Sequence, residues 1–292
     1  MKTKKFTKGI LFSSLGSFWW GFLGTYYFKY MAFIGTIELV IHRSFWTCII
    51  LLFTTMIFKK WKSLLLIFQN KKKIFILFLT SILIFSNWTI WIYAVENNQI
   101  IDASFGYFIF PIVSVLLGYI FLNEKMNKKR FLSVLLVFIS STYLLLNLSS
   151  FPLVGFGVAI IWSTYNLLRK KVNVETDVGL LIESLFILPF ILIFFYFLIQ
   201  YGESDFSTSN SILMFLIILA GPMTVIPLFL YVKGVELSGL GPTGMTFFIA
   251  PTGQFLLGFF YFNEPFSFPK FLSFILIWIA VSIYLADLYE KN

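Results

Sequence analysis

Apolar runs of about 20 residues, each bounded by a short polar or basic cluster, follow one another along this 292-residue chain. At 1.5 Å per residue, about 20 residues cross a ~30 Å hydrocarbon layer. The pattern predicts helical spans at 9–28, 36–58, 74–95, 102–122, 131–148, 153–170, 178–200, 211–232, 241–262 and 270–288. The runs are apolar at odd and even positions alike, so the alternation that a membrane β-barrel requires is missing. Chain breakers mark several joints, as at Ser150-Phe151-Pro152, Ser209-Asn210 and Asn263-Glu264-Pro265. An all-α polytopic membrane protein with ten transmembrane helices is expected.

The pattern also repeats. SFGYFIFPIVSVLLGYIFLNE, from Ser104 to Glu124, returns 140 positions later as GMTFFIAPTGQFLLGFFYFNE, from Gly244 to Glu264. Without a gap, Phe108 falls on Phe248, Pro111 on Pro251, Gly118 on Gly258 and Glu124 on Glu264. Phe131–Ser133 falls on Phe271–Ser273, and Val95-Glu96 on Val235-Glu236, in the same register. A repeat this long indicates duplication, with one copy in residues 1–148 and the other in residues 149–292. Five spans per copy is an odd number, so the second copy enters the membrane from the opposite side. Two inverted five-helix repeats then share a pseudo-two-fold axis in the membrane plane, the geometry that alternating-access carriers use.

Composition agrees with burial in lipid: 59% of residues are apolar, 12% are charged and mean hydropathy is +0.89, whereas soluble domains carry roughly 25% charged residues. The net charge of +9 is read as loop charge that sets topology, and no nucleic-acid partner is expected. With the amino terminus in the cytoplasm, that side collects Lys2, Lys4, Lys5, Lys8, Lys59, Lys60, Lys62, Lys71–Lys73, Lys125, Lys128–Arg130, Arg169–Lys171, Lys233 and Lys291. Lys29 and Lys270 lie outside, and Arg43 lies within a span. Cytoplasmic loops hold the basic excess, so both termini are expected in the cytoplasm. The basic start of the chain resembles a signal peptide, but its apolar run continues through Tyr26-Tyr27 with no small-residue cleavage site, and it is read as a retained first span.

Some chemistry is excluded outright. Cys48 and His42 are the only residues of their types, which leaves no intrachain disulfide and too few ligands for a Cys/His metal site. No metal and no cofactor is expected. Phosphate-binding loops of the Walker type are absent, so ATP hydrolysis is not expected. A lipid-modifying enzyme needs a nucleophile, metal or acid–base cluster, and a channel needs a ring of selectivity groups; neither pattern is present.

The remaining candidates are polar or aromatic residues at membrane depth. Glu38 and His42 form an i, i+4 pair with Arg43 beside them, and Glu183 falls on Arg43 at the repeat offset. Charges there cost ~2.5–3.5 kcal/mol at the bilayer centre, so they face a cavity or a partner. His42 or Glu183 is a candidate proton carrier, and His42, Arg43 and Glu183 together are candidates for coupling or for engaging the ligand's charged groups; alternatively Arg43 neutralises Glu183 or Glu38 as a structural pair, or the charges lie near enough to the interface to stay hydrated. Asn87, Trp88 and Trp91 combine an amide with aromatic faces, and Asn87 and Trp91 share a helix face, as a lined pocket requires. Tyr107, Trp162, Asn166 and Gln254 are further pocket candidates, each equally suited to gluing helices together. Pro111, Pro251, Pro222 and Pro227 remove backbone hydrogen bonds and are expected to kink their helices, either beside a transport path or in plain packing. Gly106, Gly118, Gly244 and Gly258 offer small faces for helix packing, which also allows a homodimer as well as a monomer. Glu124 is read as a surface partner of Lys128, and Arg169–Lys171 as topology determinants.

Several stretches carry a resemblance: ELVIHRSFW at Glu38–Trp46, NWTIWIYAVENN at Asn87–Asn98, DASFGYFIFPIVSVLLGYIFLNEK at Asp102–Lys125, RKKV at Arg169–Val172, GLLIESLFILP at Gly179–Pro189, GPMTVIPLFLY at Gly221–Tyr231, FFIAPTGQFLLGFFYFNEP at Phe247–Pro265 and ILIWIAVSIYLAD at Ile275–Asp287. Over essentially its whole length the chain resembles the RarD subfamily of EamA-type carriers in the drug/metabolite transporter superfamily. The resemblance implies ten helices in two inverted repeats around a central cavity, in the inner membrane of a bacterium. It further implies secondary transport of a small metabolite such as an amino acid, or export of a drug that modulates antibiotic sensitivity. The usual GYFINP pattern of that subfamily stands here as GYFIFP, with Phe110 in place of the amide.

Overall fold

The computed structural model describes residues 2–96, 100–147, 152–202, 204–206, 210–262 and 268–290, and every regular element among them is helical. In chain order these are α1 (Lys2–Trp19), α2 (Thr25–Tyr30), α3 (Thr36–Ile57), α4 (Trp61–Phe68), α5 (Lys71–Glu96), α6 (Ile100–Leu122), α7 (Lys128–Leu146), α8 (Leu153–Val172), α9 (Thr176–Gln200), α10 (Ser211–Ser238), α11 (Leu240–Thr246), α12 (Ile249–Phe260) and α13 (Phe268–Glu290). Seven of them, α3, α5, α6, α7, α9, α10 and α13, are long and apolar enough to cross a bilayer. Their outer faces carry large exposed apolar side chains, among them Phe138, Phe190, Phe194 and Phe197. Surface of that size needs a cover, and lipid supplies it.

Three expected spans depart from a plain apolar helix, each for a local reason. The run 9–28 is divided, because a π-helical turn over Trp20–Gly24 separates α1 from α2. The run 241–262 is broken at Phe247-Phe248 into α11 and α12. Pro251 lies four residues beyond Phe247, and a proline ring clashes with the carbonyl of residue i−4 while offering it no N–H. Span 153–170 is one helix, α8, but it buries Trp162, Ser163, Asn166 and Arg169 among its apolar residues. Two readings of connectors need correction. Residues 61–68 form a short helix, α4, that turns Leu64 and Ile67 inward and leaves Trp61, Leu65 and Leu66 exposed; an apolar outer face on a helix too short to span suits the plane of the interface. The other correction concerns Glu124.

Glu124 was expected at the surface beside Lys128. Instead its carboxylate accepts the backbone N–H groups of Leu240 (2.7 Å) and Gly241 (2.9 Å). Asn123 turns the chain back through a left-handed conformation (φ 53°), and Glu124 donates its own N–H to the carbonyl of Gly118. Gly239, at φ 93°, joins α10 to α11 with no loop between them; a side chain there would be strained and would strike the Glu124 carboxylate. The repeat mate, Glu264, lies outside the described residues.

Around this tie the same end of the bundle is cross-linked. Asp287 on α13 is buried between Arg130 Nε (2.9 Å) and the amide of Asn127. Lys60 reaches Asp177 (2.5 Å) and Glu175 (2.9 Å), Lys170 donates to the Glu236 carbonyl, and Thr176 to the Glu236 carboxylate (2.7 Å). This end also holds the lysines and arginines of the loops, and we call it the basic end.

The packing follows a pattern. α1 lies against α10 as α8 lies against α5, α3 meets α10 as α9 meets α5, and α6 packs on α8 as α11 and α12 pack on α1. Across the middle, α3 meets α9, α6 meets α11 and α7 meets α13. Gly106 of α6 lies directly on the backbone of Gly155 of α8, where any side chain would overlap.

Burial holds the Glu124 carboxyl above its ordinary value of 4.5, against the opposing pull of the two N–H donors and of Lys170 and Arg130. A carboxyl with a raised folded value favours the fold most when protonated, and loses that contribution as pH rises through the raised value. In detergent, the thermal midpoint of the wild type is therefore expected to fall relative to Glu124→Gln as pH is raised above about 4.5. A wild-type midpoint that instead rises relative to Glu124→Gln over that range would show that the donors, not burial, dominate the site.

Candidate functional site

Most of the nominated pocket residues converge on one cavity, lined by the π-turn at Trp20–Gly24, α2, α3, α5, α6, α8, the α11–α12 break and α12. Arg43, Asn87, Trp88, Trp91, Tyr107, Trp162 and Gln254 line it, together with Trp20, Gly24, Thr25, Phe28, Phe247 and Ala250. The second group was not singled out from sequence. Phe247 had a signal available, since it stands 140 positions after Tyr107, and the two rings meet across the cavity at 5.6 Å. The π-turn brings Trp20, Gly24 and the adjoining Thr25 to one wall, and Phe28 of α2 and Ala250 of α12 complete the group; Thr25 Oγ1 donates to the Trp20 carbonyl at 2.9 Å and so satisfies the loosened backbone.

The cavity lies in the half of the bundle remote from the basic end. Between the two, aromatic rings form a floor. Trp162 stacks on Tyr165 (5.2 Å, 10°) and lies against Tyr231 (5.6 Å), while Phe110 packs on Phe247 (4.7 Å), Trp162 and Tyr231. Phe110, which replaces the usual asparagine, is thus part of the floor and not of the cavity lining. Asn166 is buried next to it, donating to the Trp162 carbonyl at 2.7 Å, and it does not line the cavity.

The nominated charged residues separate into three environments. Glu38 accepts from the Ser204 hydroxyl (2.8 Å) and from the N–H groups of Asp205 and Phe206, with His42 Nε2 at 3.5 Å. His42 sits between the rings of Phe195 and Phe206, outside this cavity. Glu183 accepts from Thr80 (2.6 Å) and Tyr165 (3.1 Å) and pairs with Arg169 Nε at 3.5 Å. Arg169 is therefore no loop charge. It is buried, and its Nη2 donates to the Thr176 carbonyl at 3.1 Å. Glu183 borders a second cavity that shares Trp88 with the first.

Arg43 pairs with neither glutamate. Its guanidinium lies 4.7 Å from the ring centroid of Phe28 and 4.7 Å from that of Trp88, and the side chain is 4% exposed. Among the described residues no acceptor takes a hydrogen bond from it, and Nε is buried without a partner. The titratable groups near enough to act on it are the phenols of Tyr107 and Tyr27, and neither carries charge at neutral pH. Two desolvated cation–π contacts supply up to ~2 kcal/mol each, and membrane insertion of an arginine costs ~2.5–3.5 kcal/mol. The rings offset the penalty, so the cation is held without a counter-charge and its donors stay unused.

The kink candidates fall into place around the cavity. Pro251 accounts for the α11–α12 break, and Pro111 sits four residues after Tyr107, so both prolines lie one turn beyond the facing pair Tyr107 and Phe247. Pro111 is accommodated inside a continuous α6, and Pro222 and Pro227 inside a continuous α10. At Gly221, just before Pro222, α10 approaches Trp46 of α3 closely.

Comparison with known proteins agrees with this architecture. Residues 7–146 match the EamA-like transporter family. Protein RarD of Escherichia coli (strain K12) is 32% identical over 98% of this chain and 97% of its own length. The chain belongs to the RarD subfamily of EamA transporters. An uncharacterized transporter of Bacillus subtilis (strain 168), YojE, is 31% identical over 95% of this chain and 93% of its own. A solved crystal structure covers 94% of this chain and 95% of its own with a TM-score of 0.69, at 13% identity, and shows a shared fold. The protein is a multi-pass membrane transporter.

The Glu183–Arg169 pair gives a stability test. Removing one member of a buried pair leaves an uncompensated charge at a cost of about 3–5 kcal/mol. Arg169→Met is expected to lower the thermal midpoint in detergent by several degrees, and the double variant Arg169→Met, Glu183→Leu is expected to recover much of the loss. An unchanged midpoint in the single variant would mean that Glu183 is already satisfied by Thr80 and Tyr165.

Proposed function

We propose that this chain is a secondary-active carrier of a small amphipathic metabolite of the amino-acid kind. It works by alternating access in the cytoplasmic membrane of a bacterium, with both termini inside. In this reading ten spans form two inverted repeats, residues 1–148 and 149–292. The packing supports it: exchanging α1 with α8, α3 with α9, α5 with α10, α6 with α11–α12 and α7 with α13 maps each of the contacts described above onto another. The inside orientation rests on the basic end and the cytoplasmic excess of Lys and Arg.

The observation that carries the reading is the position of the cavity. It lies at the seam where Tyr107 and Phe247, matched positions of the two halves, face each other, with an aromatic floor and the Glu124 tie closing the basic end. A cavity at the repeat interface, beside a broken helix and closed toward one side, is what a rocking carrier presents in one of its two states. Rocking the halves would release Glu124 from α11 and close the rings over the opposite mouth. Polar groups are few and specific within an apolar wall, as in a small-molecule site.

Uptake into proteoliposomes tests this. Saturable, temperature-sensitive accumulation of one or more labelled metabolites is expected, and Trp88→Ala and Phe247→Ala are each expected to reduce it by about tenfold or more, as loss of an aromatic contact with the ligand does. Flux that rises linearly with concentration would point to a pore instead, and turnover of the host lipid to an enzyme. The same assay under an imposed pH gradient addresses coupling: if Glu183→Gln or His42→Ala abolishes gradient-driven accumulation but leaves exchange intact, protons are the coupling ion at that residue. If both variants follow the wild type under the gradient, coupling lies elsewhere.

A further inference from the structure

We infer that the cavity selects its ligand by a carboxylate, bound by the guanidinium of Arg43, on a compound with a flat or apolar body. This deepens the carrier reading above and rests on it. Arg43 is the sole formal charge in the lining, which contains no aspartate or glutamate among the described residues. A ligand whose only charge is an ammonium therefore meets no counter-ion, and would add a second cation to a buried one. A carboxylate meets a planar fork of donors that the protein itself leaves unused, the arrangement for two parallel N–H···O bonds.

The geometry also determines how the anion is held. Phe28 and Trp88 each hold a ring centroid 4.7 Å from the guanidinium carbon, contacts that occupy the π-system of the cation and none of its N–H donors. Lysine offers no π-system for such contacts and no fork to present. The rest of the wall is aromatic, with Trp20, Trp91, Trp162 and Phe247, which suits a ring or a branched apolar group. Asn87 and Gln254 are the amides of the lining, and their oxygens are acceptors for the ammonium of a zwitterion, so amino acids belong to the class while simple amines do not. Asn87 Nδ2 is already committed to the Val158 carbonyl at 3.2 Å, which leaves its oxygen for this role. The charge count favours a carboxylate over a phosphate monoester: one cation balances one negative charge, and a second would remain unpaired in a site with a low dielectric.

Tryptophan fluorescence of the purified full-length protein reads this directly, because Trp20, Trp88, Trp91 and Trp162 surround the site. Matched probes are titrated into the wild type: L-phenylalanine, phenylpropionate, phenethylamine and phenyl phosphate. The carboxylates are expected to change the emission saturably, with phenethylamine and phenyl phosphate weaker by about 10- to 100-fold, the range that charge-assisted hydrogen bonds command. Arg43→Gln is expected to remove the preference, and Arg43→Lys to restore only a small part of it. The wild-type ranking decides the matter even if the Arg43 variants fail to fold. Phenethylamine binding as tightly as the carboxylates, or no carboxylate binding at millimolar concentration, overturns the inference. The two readings fail separately: carboxylates that bind but are not accumulated by proteoliposomes refute the carrier, whereas accumulation of amines unaffected by Arg43→Gln refutes the anion site and leaves the carrier standing.

Discussion

In hydrocarbon the hydrophobic effect gives packed helices little reason to stay together, since lipid tails cover an apolar face as well as another helix does. The association of the helices therefore depends on close backbone approach and on polar ties, which lie at the basic end, at Glu38 with Ser204, Asp205 and Phe206, and within the bundle at Thr80 with Glu183. The Glu124 carboxylate on the first two N–H groups of α11 links the end of α6 to α11 directly, and the Asp287, Lys60 and Glu236 contacts add to it. At the cavity the contacts are aromatic rings together with the hydrogen bond from Asn87 Nδ2 to the Val158 carbonyl.

The cavity shows how a membrane interior tolerates polarity without neutralising it. Glu183 and Arg169 are matched and hydrogen-bonded by Thr80, Tyr165 and the Thr176 carbonyl, and Glu38 is satisfied by the backbone at Asp205 and Phe206. Those charges serve structure in the observed conformation. Arg43 differs because its compensation is the faces of two rings, which balance the desolvation of the cation without occupying its N–H donors.

Backbone irregularity coincides with this chemistry. The π-turn at Trp20–Gly24 and the break at Phe247-Phe248 both border the cavity, and both loosen carbonyls where protein or a wet cavity rather than lipid can satisfy them. The helices that deviate from plain apolar spans are those with a wall of the cavity to supply.

Much of this protein was legible in the chain alone. Hydrophobic length determined that it is helical and lies in a membrane, because no other cover exists for so many apolar residues, and the register between residues 104–124 and 244–264 announced a duplication. Seven of the ten nominated site residues line one cavity, since a polar or large aromatic group at membrane depth has few tolerable places to go. Pairing was not legible. That Glu183 answers to Arg169 and not to Arg43, that Glu124 caps a helix of the other half and not Lys128, and that residues 61–68 form a helix were decided by tertiary structure. A periodic pattern tells which face of a helix is apolar, but which charge meets which depends on the rotation and depth of each helix against its neighbours, quantities that arise only when the bundle packs.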